Sequence, residues 1–244
     1  MEAKTADIDS SLPFKSVAMG VRYEPQYRIG DSMGTLVDSI LHAAGGPYNP
    51  AFFPLSNASP VQQELFNPDT GDKLRINQSD TILELNIQSK ELTKILQVAK
   101  DVSHFVLGPM QKIARLGRIL RYGMVVRFDE SGTDALQRPT RRFADPELPK
   151  PRDLGVRFSY RLPTEEGFSR KHVNDYRNLI FSIFENQSGQ VALAFDYQKY
   201  FSPMLEASEI SSHPFPTFVE DAIHYHKTQF AKWIDILKRT GEAA

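Results

Sequence analysis

The sequence predicts an α+β fold, in which helices pack on one face of an antiparallel sheet built from two pseudo-repeated strand–hairpin–helix halves. Three observations lead to this prediction. A short predicted strand containing glycine and arginine occurs three times with a similar pattern, at 19–23, 123–128 and 154–158. A hairpin and then a long amphipathic helix follow in each half. The spacing is also nearly constant: the two Asn-Gln-Ser turns lie 109 residues apart, and Arg22 and Arg127 lie 105 apart. Such regular spacing indicates an internal duplication.

The three strands assign their residues to two faces, because successive side chains of a strand point to opposite sides. One side of each strand is apolar: Val17, Met19, Val21 and Tyr23; Leu120, Tyr122, Met124, Val126 and Phe128; Leu154, Val156, Phe158, Tyr160 and Leu162. The other side carries Arg22, Arg121, Arg127, Arg157 and Arg161. We call this second side of the sheet the arginine face and expect it to be free of helices.

The remaining elements of the first half follow from local signals. After the strand at 15–24, an apolar stripe at helical spacing predicts a helix that opens at Asp31 or Ser32. A Pro- and aromatic-rich loop runs to Pro60 and is expected to be anchored by Phe52 and Phe53. A hairpin then turns at 77–80. Finally, Ser89 is expected to cap a helix that Gly108-Pro109 ends, and a short helix leads to the next arginine strand.

The second half repeats this order. After the arginine strands, a hairpin turns at 186–189, and a capping box of Thr217 and Glu220 is expected to open the last helix. We divide the chain into a disordered N-terminus (1–12), a first α+β half (13–128), a connector (129–152) and a second half (153–244). The two halves either form separate units or make one continuous domain.

Composition and charge bound the class of protein. The 244 residues are 41% hydrophobic and 24% charged, with no cysteine, so disulfides and thiolate chemistry are excluded. No apolar run reaches the ~20 residues of a membrane span, and no secretory signal is visible, so we expect a cytoplasmic protein with no membrane partner. The segment 112–161 holds 12 basic and 6 acidic residues, although the whole chain has a net charge of −1. An anionic partner is one explanation of this excess and solvated surface charge is the other.

The five arginines are the candidate partner- or phosphate-binding residues, because guanidinium groups bind phosphate and carboxylate in bidentate fashion. An acidic protein partner and a nucleic acid both fit, and a homodimer is a further alternative. The arginines could instead form ion pairs with Glu24, Glu84 and Asp196, which the same pattern assigns to this face. Nucleic-acid binding would favour stacking aromatics among the arginines, whereas the pattern places the aromatics on the apolar side.

No catalytic residue, metal ligand or cofactor is predicted. The chain has no Gly-rich phosphate loop, no Gly-x-Ser-x-Gly and no His-Glu-x-x-His. His224 and His226 are two residues apart, about 200° around a helix, so they cannot chelate one ion. We expect His226 to lie in the core as a hydrogen-bonded histidine and His224 on the surface.

Four short motifs resemble a sporadically distributed family of uncharacterised bacterial proteins. They are Val21-Arg22-Tyr23, Arg121-Tyr122-Gly123-Met124, Phe195-Asp196-Tyr197 and the stretch from Ile223-His224 to Phe230. The chain departs from the family at its start and in the spacing of Gly123 and Arg127. The resemblance implies no reaction, but it does imply accessory cargo such as phage defence or a toxin–antitoxin system.

Together these observations predict a partner-binding or regulatory protein that is not an enzyme. Recognition of nucleic acid or nucleotide phosphate by the arginine face is the first alternative. An enzyme of unknown class, with a site built from the long loop and the sheet, is the second.

Overall fold

Nine strands form a single antiparallel sheet in this computed structural model, which describes residues 14–55, 62–86, 92–130, 147, 154–163, 174–185, 191–212 and 214–238. The strands are β1 (Phe14–Tyr23), β2 (Phe53–Pro54), β3 (Gln62–Phe66), β4 (Lys73–Asn77), β5 (Asp80–Leu85), β6 (Ile119–Glu130), β7 (Leu154–Pro163), β8 (Tyr176–Glu185) and β9 (Val191–Leu205). Their order across the sheet is β2-β3-β4-β5-β1-β6-β9-β8-β7. The α+β prediction is confirmed.

Five α-helices accompany the sheet in the described ranges. They are α1 (Tyr27–Asp31), α2 (Met33–Leu41), α3 (Leu92–Val102), α4 (Gly108–Ile113) and α5 (Phe215–Lys238). A π-helical turn (Ser103–Leu107) joins α3 to α4, and a 3₁₀ turn (Ala207–Ser212) follows β9. None of these helices is both long and apolar enough to cross a membrane.

The two halves of the sheet have the same strand order. In the first, β1 pairs with β5, β5 with β4, and β4 with β3. In the second, β6 pairs with β9, β9 with β8, and β8 with β7. The halves meet where β1 pairs with β6, so the segments 13–128 and 153–244 share one continuous sheet. The domain boundaries and the duplication itself stay predictions.

The core lies between the helices and the apolar face of the sheet. Val17, Met19, Val21 and Tyr23 are each at most 1% exposed, as strand alternation predicts. The helices contribute Leu36, Ile40, Ile95, Phe215 and Phe218 to the same cluster. Burial of this much apolar surface is the main force that fixes the faces of the strands.

Several local predictions are wrong, each for a physical reason. A register shift at the start of β6 brings Ile119 into the core and leaves Leu120 only partly buried. Phe53 is 55% exposed, so of the two phenylalanines only Phe52 is buried, and Tyr48 packs against it as a second anchor of the loop. The last helix begins at Phe215, which puts Thr217 inside it instead of at its N-cap.

The expected helix end at Gly108-Pro109 is also wrong. The backbone continues from α3 through the π-helical turn into α4, whose first turn contains Pro109. The π-helical turn accommodates the proline: the Gly108 N–H donates to the carbonyl oxygen of Ser103, five residues earlier, so the regular i→i−4 pattern is already interrupted where Pro109 lacks an N–H. Ser89, the N-terminus 1–12, the turn 186–189 and the side chains of Phe230 and Trp233 lie outside the described residues.

Candidate functional site

All five predicted arginines lie on the face of the sheet opposite the described helices. Arg22 of β1 is the direct cross-strand neighbour of Arg121 of β6. Arg127 is in line with Ala194, Ser182 and Arg157 across three further strands. Arg161 is in line with Asn178, Gln198 and Gly123. Cross-strand partners share a face of the sheet, so the register itself establishes the arginine face.

This face also holds charged residues that the sequence argument missed. Among the strand residues whose side chains the structure describes, six arginines and one lysine share it with four carboxylates: Arg22, Arg75, Arg121, Arg127, Arg157, Arg161 and Lys73 with Glu64, Asp80, Glu84 and Asp196. Arg75 could have been found, because it alternates with the apolar Leu74 and Ile76 of β4. Basic groups are in excess on this face.

A pocket of about 330 Å³ lies at the centre of the arginine face. Its floor is β1 and β6, where Gly20 and Gly123 are direct partners. Side chains from the flanking strands and the strand ends line it, among them Arg22, Arg75, Arg121, Arg127, Asp196 and Gln198. Arg157 and Arg161 do not line it. We call this feature the central pocket.

The two floor glycines are constrained differently. A Cβ on Gly20 would lie 2.4 Å from the backbone carbonyl oxygen of Thr81, which cannot move without distortion of the β1–β5 ladder. A Cβ on Gly123 would meet only Gln198 Cγ, at 4.0 Å. Gly20 is therefore required by the close approach of two strands, whereas packing does not require Gly123.

Asp196 is the most perturbed acid on this face. Its Oδ1 is buried and has no hydrogen-bond partner among the described residues, while its Oδ2 accepts a hydrogen bond from Gln198 Nε2 at 2.6 Å. Burial raises the pKa of Asp196 to about 6. The hydrogen bond and the nearby arginines act in the opposite direction without cancelling the effect. The carboxyl therefore changes charge near neutral pH.

The ion pairs that would have given the arginines a purely structural role form only in part. Arg127 Nη1 contacts Glu84 Oε1 at 2.9 Å. Glu24 instead pairs with Arg118, which lies outside the arginine face. It therefore neutralises none of the five predicted arginines. Within the described ranges, Arg22 and Arg157 have neither an ion pair nor a hydrogen bond to a carboxylate.

The expectation that the aromatics avoid the arginine face is wrong. Tyr200 is the cross-strand partner of both Arg121 and Tyr176, so the two tyrosines stand among the arginines. Their rings stack 4.7 Å apart, with Arg161 3.8 Å from the Tyr176 ring and Arg121 bonded to the Tyr200 hydroxyl. The ring faces are thus occupied by each other and by guanidinium groups.

Two exposed phenylalanines of the described strands lie on this face: Phe53 of β2, in line with Phe66 and Lys73, and Phe184 of β8. Phe184 is the one near the arginines of the second half. It lies opposite Ala192 and Gly155 in the row of residues next to Arg127 and Arg157, and it is 52% exposed. A Cβ on Gly155 would be 3.6 Å from the Phe184 ring, so the ring lies over that glycine.

The two histidines of α5 differ in burial as expected, but the hydrogen bond expected at the His226 ring is not among those of the described residues. His226 is buried between the rings of Phe128 and Phe195, at 5.6 and 4.6 Å, and burial lowers its pKa to about 3. His224 is exposed. The described part of the chain contains no cluster of three or more His, Asp or Glu side chains suited to a metal ion.

No family model and no curated protein matches the chain. The resemblance to the sporadically distributed bacterial family therefore stays a prediction, and the function must be argued from the geometry.

Proposed function

We propose that the protein is a binding protein, not an enzyme, and that its arginine face receives an acidic surface of a protein partner. The excess of guanidinium groups over carboxylates on this face carries the proposal. Arg157 forms no ion pair or hydrogen bond with a carboxylate of the described residues, and only a longer-range attraction links it to Asp196, so a carboxylate of a protein partner can bind it directly. Complementary charge of this kind speeds association and suppresses wrong partners.

The mixed signs on this face favour a protein over a nucleic acid. Glu84, Asp80 and Asp196 lie between the arginines and would repel a regular array of phosphates. A protein surface can match such a pattern residue by residue. Phe184 beside Arg157 adds the aromatic-plus-arginine composition that is common at the centre of protein interfaces.

Nucleic-acid or nucleotide binding is the second candidate, and one observation favours it. The exposed ring of Phe184 and the arginines share one face, which is the composition of single-strand binding surfaces. The two tyrosines do not strengthen it, because their ring faces are already covered. The role in phage defence or a toxin–antitoxin system stays a prediction.

The test uses Arg157→Glu, with Arg28→Glu on the exposed side of α1 as the matched control. Immobilised wild-type protein should capture an acidic protein that high salt releases, because exposed charges are screened. Arg157→Glu should lose that partner and Arg28→Glu should retain it. If the wild type binds a single-stranded oligonucleotide tightly and in a salt-dependent manner, the nucleic-acid alternative replaces the proposal. Equal capture by both variants would contradict a role for the arginine face.

A further inference from the structure

We infer that the central pocket binds a small organic anion, with its phosphate or carboxylate head between Arg22 and Arg121 and an apolar or ring-shaped body on the glycine floor. This ligand is distinct from the protein partner proposed above. The site lies at the β1–β6 centre of the sheet, whereas Arg157 and Phe184 lie toward its outer edge.

Two like charges lie side by side at one end of the central pocket. Arg22 and Arg121 are direct cross-strand neighbours, with Cβ atoms about 5 Å apart, and like charges in this position destabilise a sheet. Asp80 is the register partner of Arg22 on its other side, but it accepts a hydrogen bond from Asn77 at 2.7 Å and forms no ion pair with Arg22. An anion bridging the two guanidinium groups would remove this repulsion.

The hydrogen bonds of Arg121 orient it for this role. Its Nη1 donates to the Tyr200 hydroxyl at 2.9 Å, and its guanidinium lies 5.4 Å from the Tyr200 ring centre. One nitrogen is thereby held while the others remain for a ligand. Since guanidinium groups carry five donors, Arg121 can bind an anion without losing the tyrosine.

The floor of the central pocket is open at Gly123. Glycine within a strand is less stable than alanine because it loses more conformational freedom on folding, and packing does not require it at position 123. A strand glycine often marks a place where a ligand approaches the backbone. Ala18, Val125 and Ile82 make the surroundings of this floor apolar, which suits a carbon body.

The size of the pocket sets the class of ligand. About 330 Å³ is at the lower end of the roughly 300–1,000 Å³ of small-molecule sites. Arg75 and Gln198 line opposite sides of the floor and supply further donors. Asp80, Glu84 and Asp196 also line the pocket, against four arginines, so a single head group fits beside Arg22 and Arg121 whereas a row of phosphates does not. One head group and one compact ring therefore fill the space.

The experiment measures binding of inorganic phosphate, phenyl phosphate and phenol to the purified chain by calorimetry. Phenyl phosphate should bind more tightly than phosphate, and phenol should not bind measurably. Gly123→Val should weaken phenyl phosphate about ten-fold or more and leave phosphate little changed, because the new side chain occupies the floor. Arg22→Gln should weaken both anions about ten-fold, since a charged hydrogen bond is lost.

Two variants on the same face serve as matched controls. Gly155→Val and Arg157→Gln repeat the two changes outside the pocket and should leave both affinities unchanged. If phenyl phosphate does not bind at millimolar concentration, or binds Gly123→Val as well as wild type, the inference is wrong. If Gly123→Val does not fold, Gly123→Ala is used in its place. If neither variant folds, the floor has no room for a side chain at position 123 and the inference is wrong.

The two proposals can fail separately. Gly123→Val should still capture the protein partner, because it leaves Arg157 and Phe184 untouched. Arg157→Glu should lose the partner and keep phenyl phosphate. A variant series in which every change abolishes both activities would contradict the separation of the two sites.

Discussion

Replacement of Asp196 by asparagine should stabilise the protein at neutral pH and have little effect in acid. The pKa of Asp196 is raised from 3.8 to about 6 because the carboxyl is buried. A group whose pKa is higher in the folded state binds its proton more tightly there. The protonated carboxyl therefore makes its whole contribution to stability below pH 4, and this contribution is lost as the pH rises through 6.

The magnitude follows from the size of the pKa shift. A shift of about two units corresponds to about 3 kcal/mol of destabilisation by the ionised form above pH 6. Asparagine has nearly the same shape, carries no charge and can still accept the hydrogen bond from Gln198. Asp196→Asn should therefore equal the wild type near pH 4 and exceed it by about 3 kcal/mol at pH 8.

Urea denaturation at pH 4, 5, 6, 7 and 8 measures this difference in the free energy of unfolding. Asp31→Asn, at an exposed position in α1, is the matched control and should follow the wild type at every pH. A variant that is less stable than wild type at pH 8 would refute the reasoning. It would mean that the surrounding arginines hold Asp196 ionised and outweigh the cost of burial.

Two further predictions test the packing around the sheet. Gly20→Ala should destabilise the protein and Gly123→Ala should not, because only the Cβ at position 20 would collide with the backbone, at Thr81. Thermal unfolding of both variants measures the difference, and equal melting temperatures would contradict the prediction. His226→Ala should cost about 3 kcal/mol, as for other buried aromatic side chains, while His224→Ala should be nearly silent. In the wild type, burial lowers the pKa of His226 to about 3, so the neutral ring's contribution to stability should be lost as the pH falls from 6.5 toward 3. An acid denaturation curve that is the same in His226→Ala and wild type would argue against this burial.

The sequence determined the faces of the strands. Val17, Met19 and Val21 alternate with Gly20 and Arg22, and a strand with one buried face has a single register that satisfies this pattern. The hairpin turn at 77–80 also depends on neighbouring residues alone. Asn77 Oδ1 accepts hydrogen bonds from the backbone N–H groups of Ser79 and Asp80 at 2.7 and 2.8 Å. Short-range chemistry and period-two patterning were sufficient for these features.

Only the tertiary structure decided which residues meet across the sheet. Arg22 and Arg121 are 99 positions apart in the chain, and their juxtaposition depends on the β1–β6 register. The tyrosine stack depends in the same way on the pairing of β8 with β9. The burial that raises the pKa of Asp196 depends on the shape of the pocket. Alternation assigns a residue to a face, but distances between strands and access to water arise only when distant segments pair, and these decide where a ligand could bind.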